Sequence, residues 1–351
     1  MLSSQTCSIR QAQPGMKLAK AVLTETGVVL LNARAILTDS LIQTLSKRGI
    51  SEVVVEQEKP STVEDALTAE RQRFIDVRNQ MITAVAEVFQ DISRLQPLPV
   101  TKLENLADSL LLPLLERSNI IFPYLHIMDN RGEYLFRHSV NVAVLSGILG
   151  AWLKWPQEDL RDLVLAGLLH DVGKVSIPSP ILDKPGKLLS YEMEIMKFHA
   201  QLGFDLVKDC NQLSPAVKEG VWQHHERIDG TGYPQKLVAE AISPIGKVIA
   251  VADVYDAMVS RRVYREPLSP LVVMKEIYQA MFSSLDAKIC LTFLEQAAKS
   301  LIGSCVRLSN GLLGKLVYMN YGSLNPLIVQ LDSGECLCLE QCNLKIAEIV
   351  V

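Results

Sequence analysis

Six histidines occur in the 351-residue chain, and five of them, His138, His170, His199, His224 and His225, fall between positions 138 and 225. Asp171 directly follows one of them, and Asp253 lies beyond the last. The steps from 138 to 170, 170 to 199, 199 to 224 and 225 to 253 all lie between 25 and 32 residues. Each residue falls on the apolar side of a segment with helical periodicity. His138 shares its face with Val142, Leu145 and Leu149, and Asp171, with His170 beside it, follows Leu160, Val164, Gly167 and Leu168. His199 goes with Ile195, Leu202 and Leu206, the His224–His225 pair with Val217 and Val221, and Asp253 with Ile245 and Ile249. Burying seven such groups without partners would cost several kcal/mol each, so they are expected to share a cation. Imidazole and carboxylate without thiolate suit iron, manganese, zinc, cobalt or nickel rather than calcium. Seven ligands exceed the needs of one tetrahedral structural zinc. They match two ions sharing a carboxylate, and paired ions about 3.5–4 Å apart are common apparatus for displacement at phosphorus.

Five helices must therefore bring these side chains to one point, and the local signals between them fit that task. Ser214-Pro215 and Ser243-Pro244 read as an N-cap followed by proline at the first helical position. After His170-Asp171, Gly173 is expected to end a helix and let Lys174 fold back toward the site. The loop DGTGYP begins four residues after His225, and its Gly230 and Gly232 permit positive φ and close backbone approach.

The rest of the chain sets limits. Hydrophobic residues make up 48% and charged residues 21%, enough apolar material for a sizeable core. A net charge of -4 argues against binding a nucleic-acid polymer. No apolar run reaches the roughly 18 residues of a membrane span, and Met1–Lys20 lacks the pattern of a secretory signal. Seven cysteines without a CxxC pair suit reduced thiols in a cytoplasm. Cys336, Cys338 and Cys342 read as part of a strand region rather than a soft-metal site. The expected fold is mainly α, a helical bundle with small flanking units. Residues 1–58 read as a small α/β domain, with a strand pair in GVVLLNARAIL, a helix in TDSLIQTLSKRG and a strand in SEVVVEQ. Residues 59–124 read as a helical linker, 125–300 as the catalytic bundle and 301–351 as a β-rich appendage. The long linking helices suit either homodimerisation or packing on the neighbouring domain.

RHSVNVA, LLHDVGKVSIP, KPGKLLSYEMEIMKFH, HHERIDGTGYP and VADVYDAM together resemble the HD-GYP domain, a group of the HD metal-dependent phosphohydrolases, over residues 125–300. The resemblance implies hydrolysis of cyclic di-GMP to pGpG or GMP by a hydroxide bridging divalent ions, typically iron or manganese. It implies metal ligation by His138, His170, Asp171, His199, His224, His225 and Asp253, with Asp171 bridging. Lys174 matches a lysine that holds a substrate phosphate, Arg262 and Arg265 match contacts to the dinucleotide, and Gly232 and Tyr233 match the loop bordering substrate. Three-metal members carry a glutamate where this chain has Tyr134, and Glu133 is one step off, about 100° away on a helix. Two ions are therefore expected. The alternatives are a cyclic-dinucleotide-binding module that has lost catalysis and an HD phosphohydrolase of another nucleotide. Signalling proteins are partners by family behaviour alone.

Overall fold

The computed structural model describes residues 3–9, 11–23, 29–57, 63–94, 98–126, 134–260, 268–320 and 326–350. It divides into two compact units, Met1–Arg73 and Phe74–Val351.

In the first unit β1 (Ser3–Ser8) pairs antiparallel with β4 (Glu52–Gln57), and β2 (Val22–Leu23) pairs with β3 (Val29–Leu31). Helix α1 (Asp39–Lys47) is capped by Thr38, whose hydroxyl accepts from Leu41 N at 3.3 Å. Leu18, Leu37, Leu45 and Val53 form its core. The strand pair expected within GVVLLNARAIL does not form as such. Val29–Leu31 pairs with upstream Val22–Leu23, while the Leu37 amide donates to Met16 O and Ala35 O accepts from Leu18 N. The apolar run is thus divided between two neighbours that local alternation does not reveal.

Helix α2 (Val63–Ser93) is the long helix that the periodicity predicts, with Phe74, Met81, Val85, Val88 and Phe89 buried. Helix α3 (Val100–Leu106) passes through a π-turn into α4 (Leu112–Leu115) and α5 (Ser118–Ile121). The bundle continues with α6 (Tyr134–Trp152), α7 (Gln157–Leu169), α8 (Ser179–Leu182), α9 (Ser190–Lys197), α10 (His199–Val207), α11 (Pro215–Gln223), α12 (Pro244–Val259), α13 (Pro270–Ala280) and α14 (Ala287–Leu301). Helix α6 packs on α7 and α12, and α11 packs on α7, α10 and α12. Ser214 and Ser243 cap α11 and α12, accepting from Val217 N at 3.2 Å and Gly246 N at 3.1 Å.

Strands β5 (Cys305–Leu308), β6 (Leu313–Met319), β7 (Leu327–Leu331), β8 (Cys336–Cys338) and β9 (Ile346–Val350) form one antiparallel sheet in the order β8-β7-β6-β5-β9. Val306, Leu308, Leu316 and Val329 alternate inward and join the helical core. The molecule is mainly α with a small C-terminal sheet, as the sequence implies. No helix among the described residues is long and apolar enough to cross a membrane.

Candidate metal centre

Four of the five elements deliver their polar groups at or near an end, and α12 delivers Asp253 from its middle. His138 lies one turn into α6, His170 is the C-cap of α7, and Asp171 caps the following 3-10 turn Val172–Ser176. His199 opens α10, His224 is the C-cap of α11, and Asp253 lies in α12. Two sequence expectations need correction here. The stripe expected through Ile195, His199 and Leu206 breaks at Phe198, between α9 and α10. The buried side of α10 is His199, Ala200, Gly203 and Val207, while Leu206 is exposed. Gly173 does not end α7 either. A Cβ there would lie 2.0 Å from His199 O and 2.4 Å from Gly203 N. Its missing side chain lets the His170-Asp171 turn lie directly against the start of α10.

These elements bring all seven side chains together. Asp171 Oδ2 lies 3.6 Å from His138 Nε2 and 3.4 Å from His170 Nε2, and its Oδ1 lies 3.3 Å from His199 Nε2. Asp253 Oδ1 is 3.1 Å from His138 Nε2, and its Oδ2 is 3.6 Å from His225 Nδ1. Ligand-type atoms of Asp171, His199, His224 and His225 all lie within 4.8 Å of one another, as do those of His138, His170 and Asp171. Lys174 does fold back, its ammonium donating to Asp171 Oδ2 at 2.6 Å.

The hydrogen bonds fix which imidazole nitrogen faces the centre. His170, His199 and His224 donate from Nδ1 to the carbonyls of Gly167, Met196 and Val221, each three residues back, at 2.8, 2.7 and 2.8 Å. A carbonyl only accepts, so Nδ1 carries the proton and Nε2 presents a lone pair. His199 Nε2 and His224 Nε2 then face each other at 3.2 Å with a proton on neither. His170 Nε2 and Asp171 Oδ1 are buried with no hydrogen-bond partner. Bare lone pairs this close repel one another unless a cation accepts them, and this donor set is compatible with divalent metal binding.

Electrostatics in the metal-free chain agree. Burial pulls the His199 imidazole down to about 4, and burial likewise holds His224 and His225 well below the usual range. All three are neutral, the form that ligates. Burial also opposes a charge on His138, but hydrogen bonds to Asp253 and Asp256 outweigh it and raise this imidazole to about 9. Burial opposes ionisation of Asp171 and Asp253 too. The Lys174 ammonium reverses this for Asp171, and the hydrogen bond from His138 does so for Asp253, leaving both carboxyls well below the usual range.

The DGTGYP loop closes over one side. Gly230 adopts φ +77°, and a Cβ on Gly232 would meet Arg227 N at 2.3 Å and Glu226 Cα at 2.5 Å. This places the Tyr233 ring 4.6 Å from the His225 ring and 6.3 Å from the His199 ring, centroid to centroid. Burial, with Asp253 and Asp171 nearby, pushes the Tyr233 phenol up. Tyr134 stacks on His138 at 5.4 Å and 13°. Arg262, Arg265 and Glu133 lie outside the described residues.

Three polar side chains outside the ligand set support the centre. Asp256, one turn after Asp253, and Glu226, beside His225, are both suggested by their place in the sequence, whereas Asn141 is not. Buried Glu226, adjacent to His225, accepts the amides of Gln235 at 2.6 Å and Leu237 at 2.9 Å and so pins the loop. Asn141, three residues after His138, donates to Asp256 Oδ1 at 2.8 Å, while Asp256 Oδ2 accepts His138 Nδ1–H at 2.7 Å.

Comparison with known proteins agrees with this architecture. Residues 124–289 match the HD domain family. The chain is 33% identical over 265 residues to cyclic di-GMP phosphodiesterase PA4108 of Pseudomonas aeruginosa, covering 76% of this chain and 64% of that one. It is 40% identical over 159 residues to a cyclic di-GMP phosphodiesterase of Thermotoga maritima, covering 43% of each. It is 31% identical over 177 residues to 3'3'-cGAMP-specific phosphodiesterase 2 of Vibrio cholerae, covering 50% of this chain and 34% of that one. The chain thus spans less than two thirds of the length of each of these relatives. The solved structure of Bd1817, an HDG"Y"P protein from Bdellovibrio bacteriovorus, shares the fold. Its TM-score is 0.52 at 16% identity, over 83% of this chain and 98% of that one. Residues 124–289 thus carry an HD domain, with the His/Asp cluster and the DGTGYP loop inside it.

Proposed function

We propose that the chain is a metal-dependent phosphodiesterase of the cytoplasm that hydrolyses cyclic di-GMP to pGpG or GMP. The observation that carries this reading is the convergence of three carbonyl-anchored imidazoles, their Nε2 lone pairs facing inward, on a buried carboxylate. Asp171 supports two ions, since Oδ2 faces His138 and His170 while Oδ1 faces His199. Tyr134, where a third ion would call for a carboxylate, supports two rather than three. The His/Asp donor set suits iron or manganese. Bound divalent ions would supply Lewis acidity toward phosphoryl oxygens and make water nucleophilic near neutral pH.

The chain's own groups do the rest. His138, His170, Asp171, His199, His224, His225 and Asp253 hold the ions, with the carbonyls of Gly167, Met196 and Val221 keeping three imidazoles aimed. Lys174, its side chain 19% exposed, offers positive charge to a phosphate beside Asp171. Gly232 and Tyr233 border the substrate, and Tyr233, held protonated by burial, remains a neutral donor. Arg262 and Arg265 hold the second phosphate or a guanine edge bidentately. In this reading 125–300 is the catalytic domain, and 1–58, 59–124 and 301–351 regulate or localise it. A second reading, hydrolysis of a related cyclic dinucleotide, is favoured by the Vibrio cholerae relative named for 3'3'-cGAMP.

The test is anaerobic purification, metal analysis, and turnover of cyclic di-GMP, 3'3'-cGAMP and a simple nucleoside phosphate, beside Asp171→Ala. About two ions per chain and fastest turnover of cyclic di-GMP are expected, both lost in the variant. An Asp171→Ala protein that keeps its ions and its rate refutes the reading, and faster turnover of 3'3'-cGAMP transfers it to the second substrate.

A further inference from the structure

Arg78 lies in α2, outside the residues that match the HD domain, and only 5% of it is exposed. A guanidinium buried this deeply is retained where it has directed acceptors. Its Nε donates to Asn141 Oδ1 at 2.8 Å. With the amide oxygen turned toward α2, the Asn141 NH2 points the other way and donates to Asp256 Oδ1 at 2.8 Å. Ser260 Oγ donates to the same oxygen at 3.0 Å. The other Asp256 oxygen accepts His138 Nδ1–H at 2.7 Å, which leaves His138 Nε2 facing Asp253 Oδ1 at 3.1 Å. All four side chains, Arg78, Asn141, Asp256 and His138, are buried.

We propose that Arg78 and Asn141 are positioning residues for the metal centre. They aim the Asp256 carboxylate, and through it the His138 imidazole, so that helix α2 sets the ion affinity of a site in a different segment of the chain. The inference rests on the metal-centre reading and deepens it. Without Arg78, the Asn141 amide is free to turn its oxygen toward Asp256, where two acceptors repel. Asp256 then loses a fixed donor, and His138 loses the acceptor that selects its ligating nitrogen. Removing groups that orient metal-bound imidazoles typically weakens ion binding about 10- to 100-fold.

The test uses the full chain, stripped with a chelator and titrated anaerobically with Mn2+, free ion being followed by electron paramagnetic resonance. Thermal unfolding of the metal-free proteins is recorded in parallel. Arg78→Met is expected to weaken Mn2+ binding about 10- to 100-fold, and Asn141→Ala similarly. The double variant should be no weaker than the worse single one, because both cut the same chain of hydrogen bonds. Arg78→Lys, which retains a donor, should recover most of the affinity. If Arg78→Met melts lower but binds Mn2+ as the wild type does, Arg78 is merely structural and the proposal is overturned. Should Arg78→Met not fold, Asn141→Ala and Arg78→Lys decide it, and wild-type affinity in Asn141→Ala overturns it. A wild-type chain that takes up no Mn2+ instead overturns the metal-centre reading itself.

Discussion

The contact between the His170-Asp171 turn and α10 can be tested with a single methyl group. In Gly173→Ala the new Cβ would lie 2.0 Å from His199 O, 2.4 Å from Gly203 N and 2.9 Å from Gly203 Cα. Carbon contacts ordinarily settle at about 3.5–4.0 Å, so the two segments must part by more than about 1 Å. Every opposing atom is backbone, and none can swing aside as a side chain would. Overpacking a core costs about 1–3 kcal/mol where side chains can give, so about 3 kcal/mol is expected here. The displacement also falls between Asp171 Oδ1 and His199 Nε2, now 3.3 Å apart. A misplacement of about 1 Å at reacting groups costs on the order of 100-fold in rate. Urea unfolding of the metal-free chain reads the first effect, and Mn2+ titration with turnover reads the second. Gly203→Ala is the comparator, since its Cβ meets Val221 Cγ1 at 3.1 Å and Gly173 N at 3.2 Å. It should cost roughly 1 kcal/mol. Gly173→Ala protein within about 0.5 kcal/mol of wild type, binding Mn2+ normally, would show that the close approach is not needed.

Stability of the metal-free protein should peak near pH 7. His138 is raised to about 9 in the folded chain, so its contribution is complete below about pH 6.5 and lost as pH rises through 9, at most about 3 kcal/mol. His199 is lowered to about 4, and His224 and His225 are lowered too, so their contributions are complete above about pH 6.5 and lost as pH falls below it. Melting temperatures from pH 4.5 to 9.5 in chelator check this, and a monotonic rise to pH 9 contradicts it. Lys174→Met should retain both ions but lose about 100-fold in kcat/KM, as expected for one preorganised charge at a phosphoryl group. Ion loss on that substitution would make Lys174 a support for Asp171 instead. Glu226→Ala should loosen the loop at Gln235 and Leu237 by about 1–3 kcal/mol and raise KM more than it lowers kcat. An unchanged KM would separate the loop from substrate binding.

Much of this architecture is written in short-range patterns. Helix starts at Thr38, Ser214 and Ser243 depend on a side-chain oxygen reaching an amide three residues on, and each forms. The long apolar period of α2 and the alternation of β5 are equally local. The pattern misleads where burial is complete. Helix α6 is buried on every side from His138 to Gly150, so the face assigned to Val142, Leu145 and Leu149 is no more interior than its neighbours.

By itself the sequence determined which ligand-type residues exist, how far apart they lie along the chain, and that helices carry them. Tertiary structure alone decided that α10 begins afresh at His199, that Gly173 is small because a backbone lies against it, and that Arg78 reaches Asn141. It also decided which nitrogen of each imidazole looks inward, through carbonyls that become acceptors only at helix ends. Caps and periodicity are set by atoms within about one turn of each other, whereas close approach and proton placement depend on groups that only packing brings together.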